Sequence, residues 1–316
     1  IGIDARFFDR FGVTIDLYNK NTSDLLYYAP LPNISGYTGQ YKNVGAINNK
    51  GLEISLNADV IRTSKFQWTS DFNIGFNRNR VTELYGGKPE LKGLKRLEEG
   101  RDMDEWYLRE WAGVDPANGS PLWYTTDENG KRTTTDSYNK AARVYCGSAA
   151  PKFTGGWMNS FSYKGFTLTA NFDFVYGNLL YNQSRELLDS DGAYADYNSM
   201  KLKSGWKRWE KEGDISTHPK AINGGNKNSN KSSSRYLEKG NYFSLRNLSL
   251  GYSIPEKLCG KLGLQRVNVS CSADNLFTLT PFSGVSPQLS DSSTDGYAGT
   301  IYPLSRRIVF GLNVSF

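Results

Sequence analysis

The feature that most constrains this chain is a two-residue hydrophobic period that recurs in nine segments, joined by connections that are alternately short and long. In Ile1–Phe8, residues Ile1, Ile3, Ala5 and Phe7 share a face, and Phe11–Leu25 opens with Phe11, Val13, Ile15 and Leu17. Asn43–Arg62 sets Leu52, Ile54, Leu56, Ala58 and Val60 against Glu53, Ser55, Asn57 and Asp59, and Phe66–Leu84 sets Phe66, Trp68, Phe72, Ile74 and Phe76 against Gln67, Thr69, Asp71 and Asn73. Phe153–Tyr163, Phe166–Asn178, Asn241–Ser253, Arg266–Phe277 and Arg306–Phe316 repeat the pattern, with Asn159 an exception on the apolar side.

Such alternation also suits a soluble sandwich with one wet face. The connections decide between the two. Long ones fall at about 26–42, 85–152, 179–240 and 278–305, and each is preceded by a short one. In an antiparallel meander every second connection lies at the same end, so one end carries tight turns and the other large loops. Soluble domains rarely hold loops beyond about 15 residues, whereas outer-membrane barrels combine short periplasmic turns with long extracellular loops. The expected fold is an all-β transmembrane antiparallel barrel portion, with Phe316 ending at the periplasmic rim.

The mean hydropathy of −0.56 does not oppose this, because a spanning strand needs only about 9–11 residues with every second one apolar. No run approaches a helical span. The net charge of +6, from 38 basic and 32 acidic residues, is dispersed, so nucleic acid is not an expected partner. Cys146, Cys259 and Cys271 show neither disulfide nor metal-ligand spacing. No signal peptide is visible and Ile1 already lies in an alternating segment, so the chain is expected to be incomplete at its N-terminus.

Within the long connections, Glu105–Gly113 and Ser120–Thr126 flank the turn-rich Asp115-Pro116-Ala117-Asn118-Gly119 and are expected to form an accessory hairpin. Leu179–Leu188 reads as a short helix, and Lys220–Ser234, rich in Gly, Asn, Ser and Lys, as a mobile stretch. Trp68, Trp157, Tyr163, Tyr176 and Tyr252 are expected in interfacial girdles. The loop aromatics Trp106, Tyr107, Trp111, Trp123, Tyr124, Trp206 and Trp209 are the candidate substrate contacts, since their faces can stack on sugar rings or grip peptide side chains; packing of the loops on one another is the competing role. Asp189, Asp191 and Asp196 match no cation-loop signature and read as a solvated turn. His218, the single histidine, reads as an exposed loop residue without catalytic partners. No metal, cofactor or catalytic residue is expected.

Several stretches resemble the SusC/RagA-type TonB-dependent transporters of the Bacteroidetes outer membrane. They are Asn43-Val44-Gly45 with Asn49-Lys50-Gly51-Leu52-Glu53; Gly147-Ser148 through Pro151-Lys152-Phe153-Thr154-Gly155-Gly156, leading to Tyr163-Lys164-Gly165-Phe166; Leu245 to Pro255; Asp274-Asn275-Leu276-Phe277-Thr278; and Arg307 to Phe316. One departure stands out: after Gly284 the family usually carries Asp-Pro-Glu, where this chain has Val285-Ser286-Pro287-Gln288. The resemblance implies a 22-stranded barrel to which this chain supplies about nine C-terminal strands. It also implies a plug domain and TonB-contacting segment in sequence lying upstream, energy from a TonB-ExbB-ExbD complex, and a SusD-like surface lipoprotein as partner. The expected function is import of an oligosaccharide, with peptide the alternative cargo and a passive porin or adhesion barrel the alternative class. A barrel enzyme would require activity that depends on His218. Leu56, Phe172 and Phe310 are expected to face lipid, and Asn57, Asp173 and Asn313 the lumen.

Overall fold

Aromatic and β-branched residues alternating with short polar ones favour extended backbone, and here they form nine long strands. These are β1 (Gly2–Phe7), β2 (Phe11–Thr22), β3 (Ala46–Arg62), β4 (Phe66–Glu83), β5 (Phe153–Tyr163), β6 (Phe166–Tyr176), β7 (Tyr242–Ser253), β8 (Arg266–Leu279) and β9 (Arg307–Ser315). The computed structural model describes residues 1–197, 199–261, 263–289, 296–299 and 301–316; part of the expected connection 278–305, namely 290–295 and 300, lies outside the described residues. The nine strands make one sheet in chain order, each antiparallel to the next.

The turns at one end are tight because the sequence supplies residues for left-handed backbone. Lys164 and Gly165, at φ 45° and 84°, close the β5–β6 hairpin between the paired Tyr163 and Phe166. The β7–β8 connection at this end carries the helix Glu256–Lys261. All four long connections leave the opposite end.

Register turns the alternation into two continuous faces. Val13, Leu56, Phe72, Trp157, Phe172, Leu245 and Phe277 follow one another across seven strands. One residue along, Asn57, Asp71, Met158, Asn171, Asn247, Asp274 and Arg307 make the corresponding row of the polar face. Asn57 Nδ2 donates to Asp71 Oδ1 at 2.7 Å, Asn247 Nδ2 to Asp274 Oδ1 at 2.7 Å, and Arg307 Nε to Asp274 Oδ2 at 2.9 Å. The 11 residues of β6, tilted as barrel strands are, rise roughly 25 Å, the height of an outer-membrane apolar band.

The band ends in aromatic rows. Phe66, Tyr163, Phe166 and Tyr252 lie at the turn end, and Phe76, Phe153 and Tyr176 at the loop end, with Phe153 and Tyr176 stacked at 5.1 Å. Trp157 departs from the girdle expectation. It sits mid-strand between Phe72 and Phe172, because its indole N–H is satisfied within the sheet by Ser70 Oγ at 2.9 Å. Trp68, one row inside the turn-end aromatics, likewise donates to Asn159 Oδ1 at 3.1 Å. Asn159 breaks the apolar pattern in order to accept that bond.

Two loop expectations are corrected, and the first long connection holds a hairpin that the sequence did not mark. Leu26–Pro30 and Gly39–Asn43 form a hairpin inside the first long connection, and the left-handed Gly45 (φ 88°) separates it from β3. The accessory hairpin exists between Trp111–Val114 and Pro121–Thr126, but Glu105–Arg109 pairs instead with Arg143–Ser148. The helix near 179–188 is confined to Gln183–Leu188; Leu179–Asn182 is a strand between Leu237–Lys239 and Tyr297–Ala298, drawn into it by the burial of Leu180 and Tyr181.

Candidate functional site

The principal hydrophobic core lies in the loops. Trp106, Leu108, Ala149, Tyr181 and Tyr236 form it, with Tyr297 packed alongside. Trp106 meets Tyr181 and Tyr297 at ring distances of 5.8 and 5.1 Å, and its Nε1 donates to Leu179 O at 2.9 Å. The connections 84–152 and 177–241 are thereby locked into one layer above the sheet.

Beside this core is a buried charge network. Arg185 reaches Asp189 at 3.0 Å and Glu238 at 2.9 Å, and Arg208 reaches Asp191 at 2.7 Å. Arg235 contacts both Asp189 and Asp191. Ser229 Oγ donates to Asp191 Oδ2 at 2.6 Å, and His218 Nε2 and Asp189 Oδ2 are 2.9 Å apart. Three carboxylates thus face three guanidiniums, as burial of charge requires. Burial raises the Asp189 carboxyl, but the His218 hydrogen bond and the charges of Arg235, His218 and Arg185 outweigh it and hold the group below the usual carboxylate range. Burial likewise pushes the Tyr236 hydroxyl upward.

Two readings are overturned here. His218 is not exposed: it is 1% accessible, packed against Trp206 and bonded on its other nitrogen side to Thr217 Oγ1 at 2.8 Å. Asp189 and Asp191 are buried rather than solvated, and only Asp196 is exposed. Polar sequence hid this interior, because charges that satisfy one another do not register as a core. The stretch 220–234 is likewise held: Asn226, Ser229 and Ser233 are buried, and Asn226 Nδ2 donates to Gly119 O and Lys220 O. Among the described residues no group of three or more His, Cys, Asp or Glu is arranged to hold a metal, and the guanidiniums around Asp189 and Asp191 repel a cation.

Of the seven aromatic candidates, Trp106, Trp123 and Trp209 are buried. Trp123 packs edge-on against Trp111 and Tyr138, and Trp209 donates to Pro116 O at 2.9 Å. Trp206 and Trp111 lie over Arg185 and Arg235 at 4.4 and 5.0 Å, Arg96 over Tyr107 at 4.8 Å, and Arg132 over Tyr124 at 3.8 Å. These four, Tyr107, Trp111, Tyr124 and Trp206, keep part of their surface accessible. Beneath the loops the polar face of the sheet carries Tyr18, whose hydroxyl donates to Asn77 Oδ1 at 3.1 Å, and an amide ladder in which Asn77 and Asn79 both donate to Asn49. A recess of about 350 Å³ lies there, bounded by Asn49, Glu53, Asn79, Met103 and Asp104. The arrangement offers hydrogen bonds and ring faces; the Thr217 hydroxyl and Asp189 flank His218, but that imidazole is 1% accessible and belongs to the buried charge network.

A meander with one apolar and one polar face and all its long loops at one end invites comparison with known barrels. The family described as TonB dependent receptor-like, beta-barrel matches residues 1–276. The chain belongs to this family. TonB-dependent receptor P39 of Formosa agariphila (strain DSM 15362 / KCTC 12365 / LMG 23005 / KMM 3901 / M-2Alg 35-1) is 30% identical over 365 residues, covering 100% of this chain and 35% of the relative. TonB-dependent receptor SusC of Bacteroides thetaiotaomicron is 24% identical, covering 100% of this chain and 31% of SusC. Among solved structures, the RagAB peptide transporter superposes with TM-score 0.84 at 28% identity over 98% of this chain and 34% of that one. The RagAB peptide importer in its open-open state gives 0.85 at 27%, over 100% and 34%. The chain spans about a third of the length of the curated relatives it matches. As a TonB-dependent receptor barrel segment of the SusC/RagA type it is an outer-membrane protein, and the family is one of transporters and receptors, not enzymes. Its apolar face therefore meets hydrocarbon, and its polar face lines the lumen. Among the described residues no helix is long and apolar enough to cross a membrane; the strands cross instead.

Proposed function

We propose that this chain forms wall, lumen surface and outer loops of an energised importer of an oligomeric nutrient. One observation carries the reading: a TonB-dependent receptor barrel wall whose four long connections all leave one end, two of them folding into a packed, aromatic- and charge-rich layer. In this reading the connections 26–42, 85–152, 179–240 and 278–305 lie on the cell exterior, and a plug domain and TonB-contacting segment belong to the same transporter outside this chain. A 22-stranded barrel, a TonB-ExbB-ExbD complex and a SusD-like lipoprotein seated over the loops complete it. Tyr107, Trp111, Tyr124 and Trp206 are the aromatic candidates for substrate contact.

Oligosaccharide is the cargo we favour, because partly accessible rings beside hydrogen-bonding side chains suit sugar faces and hydroxyls. A peptide cargo is the second reading, favoured by the likeness to the RagAB peptide importer. Deleting the full-length gene should abolish growth on an oligosaccharide as sole carbon source, and deleting TonB should do the same. Loss of growth on oligopeptides alone would assign the second reading. TonB-independent uptake would replace import by passive diffusion.

A further inference from the structure

The apolar band stops abruptly at the loop end of β3 and β4. Leu17, Leu52 and Phe76 form its last row there. Two residues further along each strand, on the same face, Lys50 stands directly opposite Arg78, and Arg80 follows opposite Asn48. The lumen side of these positions carries Gly51, Asn77, Asn49 and Asn79 instead, so the cations point toward the bilayer and not into the passage. Like charges paired directly across a ladder destabilise it, and nothing among the described residues relieves these. Among the described residues Lys50, Arg78 and Arg80 make no ion pair or side-chain hydrogen bond, and all three are exposed.

On the outward face Lys50, Arg78 and Arg80 thus stand directly above Leu52 and Phe76, and a cleft of about 1240 Å³ opens at the same strand ends, lined by these side chains and also by Tyr18, Asn77 and Asn79 of the polar face. Two carboxylates border it, but Glu105 is already paired with Arg101 at 3.2 Å, and Asp102 accepts from Ser148 Oγ and the Asp104 N–H. The outward face of β3 and β4 therefore joins an apolar floor, continuous with the membrane band, to a cationic roof at headgroup height that no described carboxylate compensates. We infer that it binds the phosphate headgroup of a phosphorylated membrane lipid, whose acyl chains run down over Phe76 and Leu52. A soluble anion would satisfy the roof but leave the apolar floor wet. The inference rests on the outward facing of the apolar side, not on the transport reading.

The test uses the purified full-length protein in micelles doped equally with phosphatidic acid and phosphatidylcholine, with retained lipid read by native mass spectrometry. The wild type is expected to retain phosphatidic acid about tenfold over phosphatidylcholine. The triple variant Lys50→Ser, Arg78→Ser, Arg80→Ser should fall to parity while keeping the heat-modifiable gel mobility of a closed barrel. The charge-conserving Arg78→Lys, Arg80→Lys and the lumen-side Lys20→Ser should both behave as wild type. If the triple variant does not assemble, Arg78→Ser alone should lower the preference about threefold. Undiminished preference in the triple Ser variant, or in Arg78→Ser where the triple variant does not assemble, overturns the site, as does displacement of phosphatidic acid by inorganic phosphate. Retention of neither lipid by the wild type overturns the outward facing as well.

Discussion

His218 and Asp189, 29 residues apart in the chain, meet at 2.9 Å in the loop interior, where each is 2% accessible or less. Asp189 also takes charge from Arg185 and Arg235. Its carboxyl is held below the ordinary value of 3.8. A depressed carboxylate adds stability that is complete above its unfolded pKa and is lost as pH falls through the folded one. The loop layer should therefore resist a protease down to about pH 4 and open progressively below it, while barrel gel mobility persists. Asp189→Ala should cost about 3–5 kcal/mol, because it strands buried guanidiniums, and should open the loops already at neutral pH. An intact loop layer in that variant would show that the network does not hold it.

The sheet was legible and the loop interior was not, for one physical reason. A half-buried strand writes its facing into every second residue, so β3 to β6 and their partners follow from Leu52–Leu56, Phe72–Phe76 and Phe166–Phe174 alone. The loop layer is built from compensated charges and buried serines, as in Arg235–Asp191–Ser229, and no period marks those. Polar composition reads as solvation at His218, Asp189, Asp191 and 220–234, where long-range pairing decides burial. The seven loop aromatics stand out in the sequence as residue types, but sequence does not separate the buried Trp106, Trp123 and Trp209 from the partly accessible Tyr107, Trp111, Tyr124 and Trp206.

The two faces predict an asymmetry in charge tolerance. Leu56 and Phe310 are 39% and 80% accessible on the apolar side, and Phe172 lies between Trp157 and Leu245 in the same face. Lys or Arg at any of the three should cost roughly 2–4 kcal/mol if near the midplane, whereas Lys at Asn57, Asp173 or Asn313 should assemble with much smaller losses. Folded yield in outer-membrane preparations reads this. Equal yields from the two sets would sink the facing assignment.

Burial separates the loop aromatics into two kinds of variant. Trp106→Ala removes a fully buried ring and its bond to Leu179 O, so it should cost about 3–5 kcal/mol and raise protease sensitivity throughout the loop layer. Tyr124→Ala, which removes a partly accessible ring stacked by Arg132, should leave the layer protease-resistant. If Tyr124 contacts cargo, its loss should weaken substrate binding about fivefold, the equivalent of about 1 kcal/mol from one ring contact. Calorimetric titration of the full-length transporter distinguishes the two behaviours; unchanged affinity removes Tyr124 from the contact set.

Trp68 and Asn159 supply the sharpest test of how the apolar face tolerates polarity. Asn159 is 5% accessible and accepts the Trp68 indole N–H at 3.1 Å. Asn159→Leu makes the face more apolar, which by hydropathy alone should favour insertion. It also orphans a buried donor, at about 1–3 kcal/mol, and the second effect should win. Trp68→Phe removes donor and ring edge together and should be milder in the Asn159→Leu background than in the wild type. A double-mutant cycle on urea unfolding in bilayers should then show the two changes coupled by about 1 kcal/mol. Strict additivity, or a stabilised Asn159→Leu single variant, would mean that the amide is on this face for some reason other than the indole it accepts from.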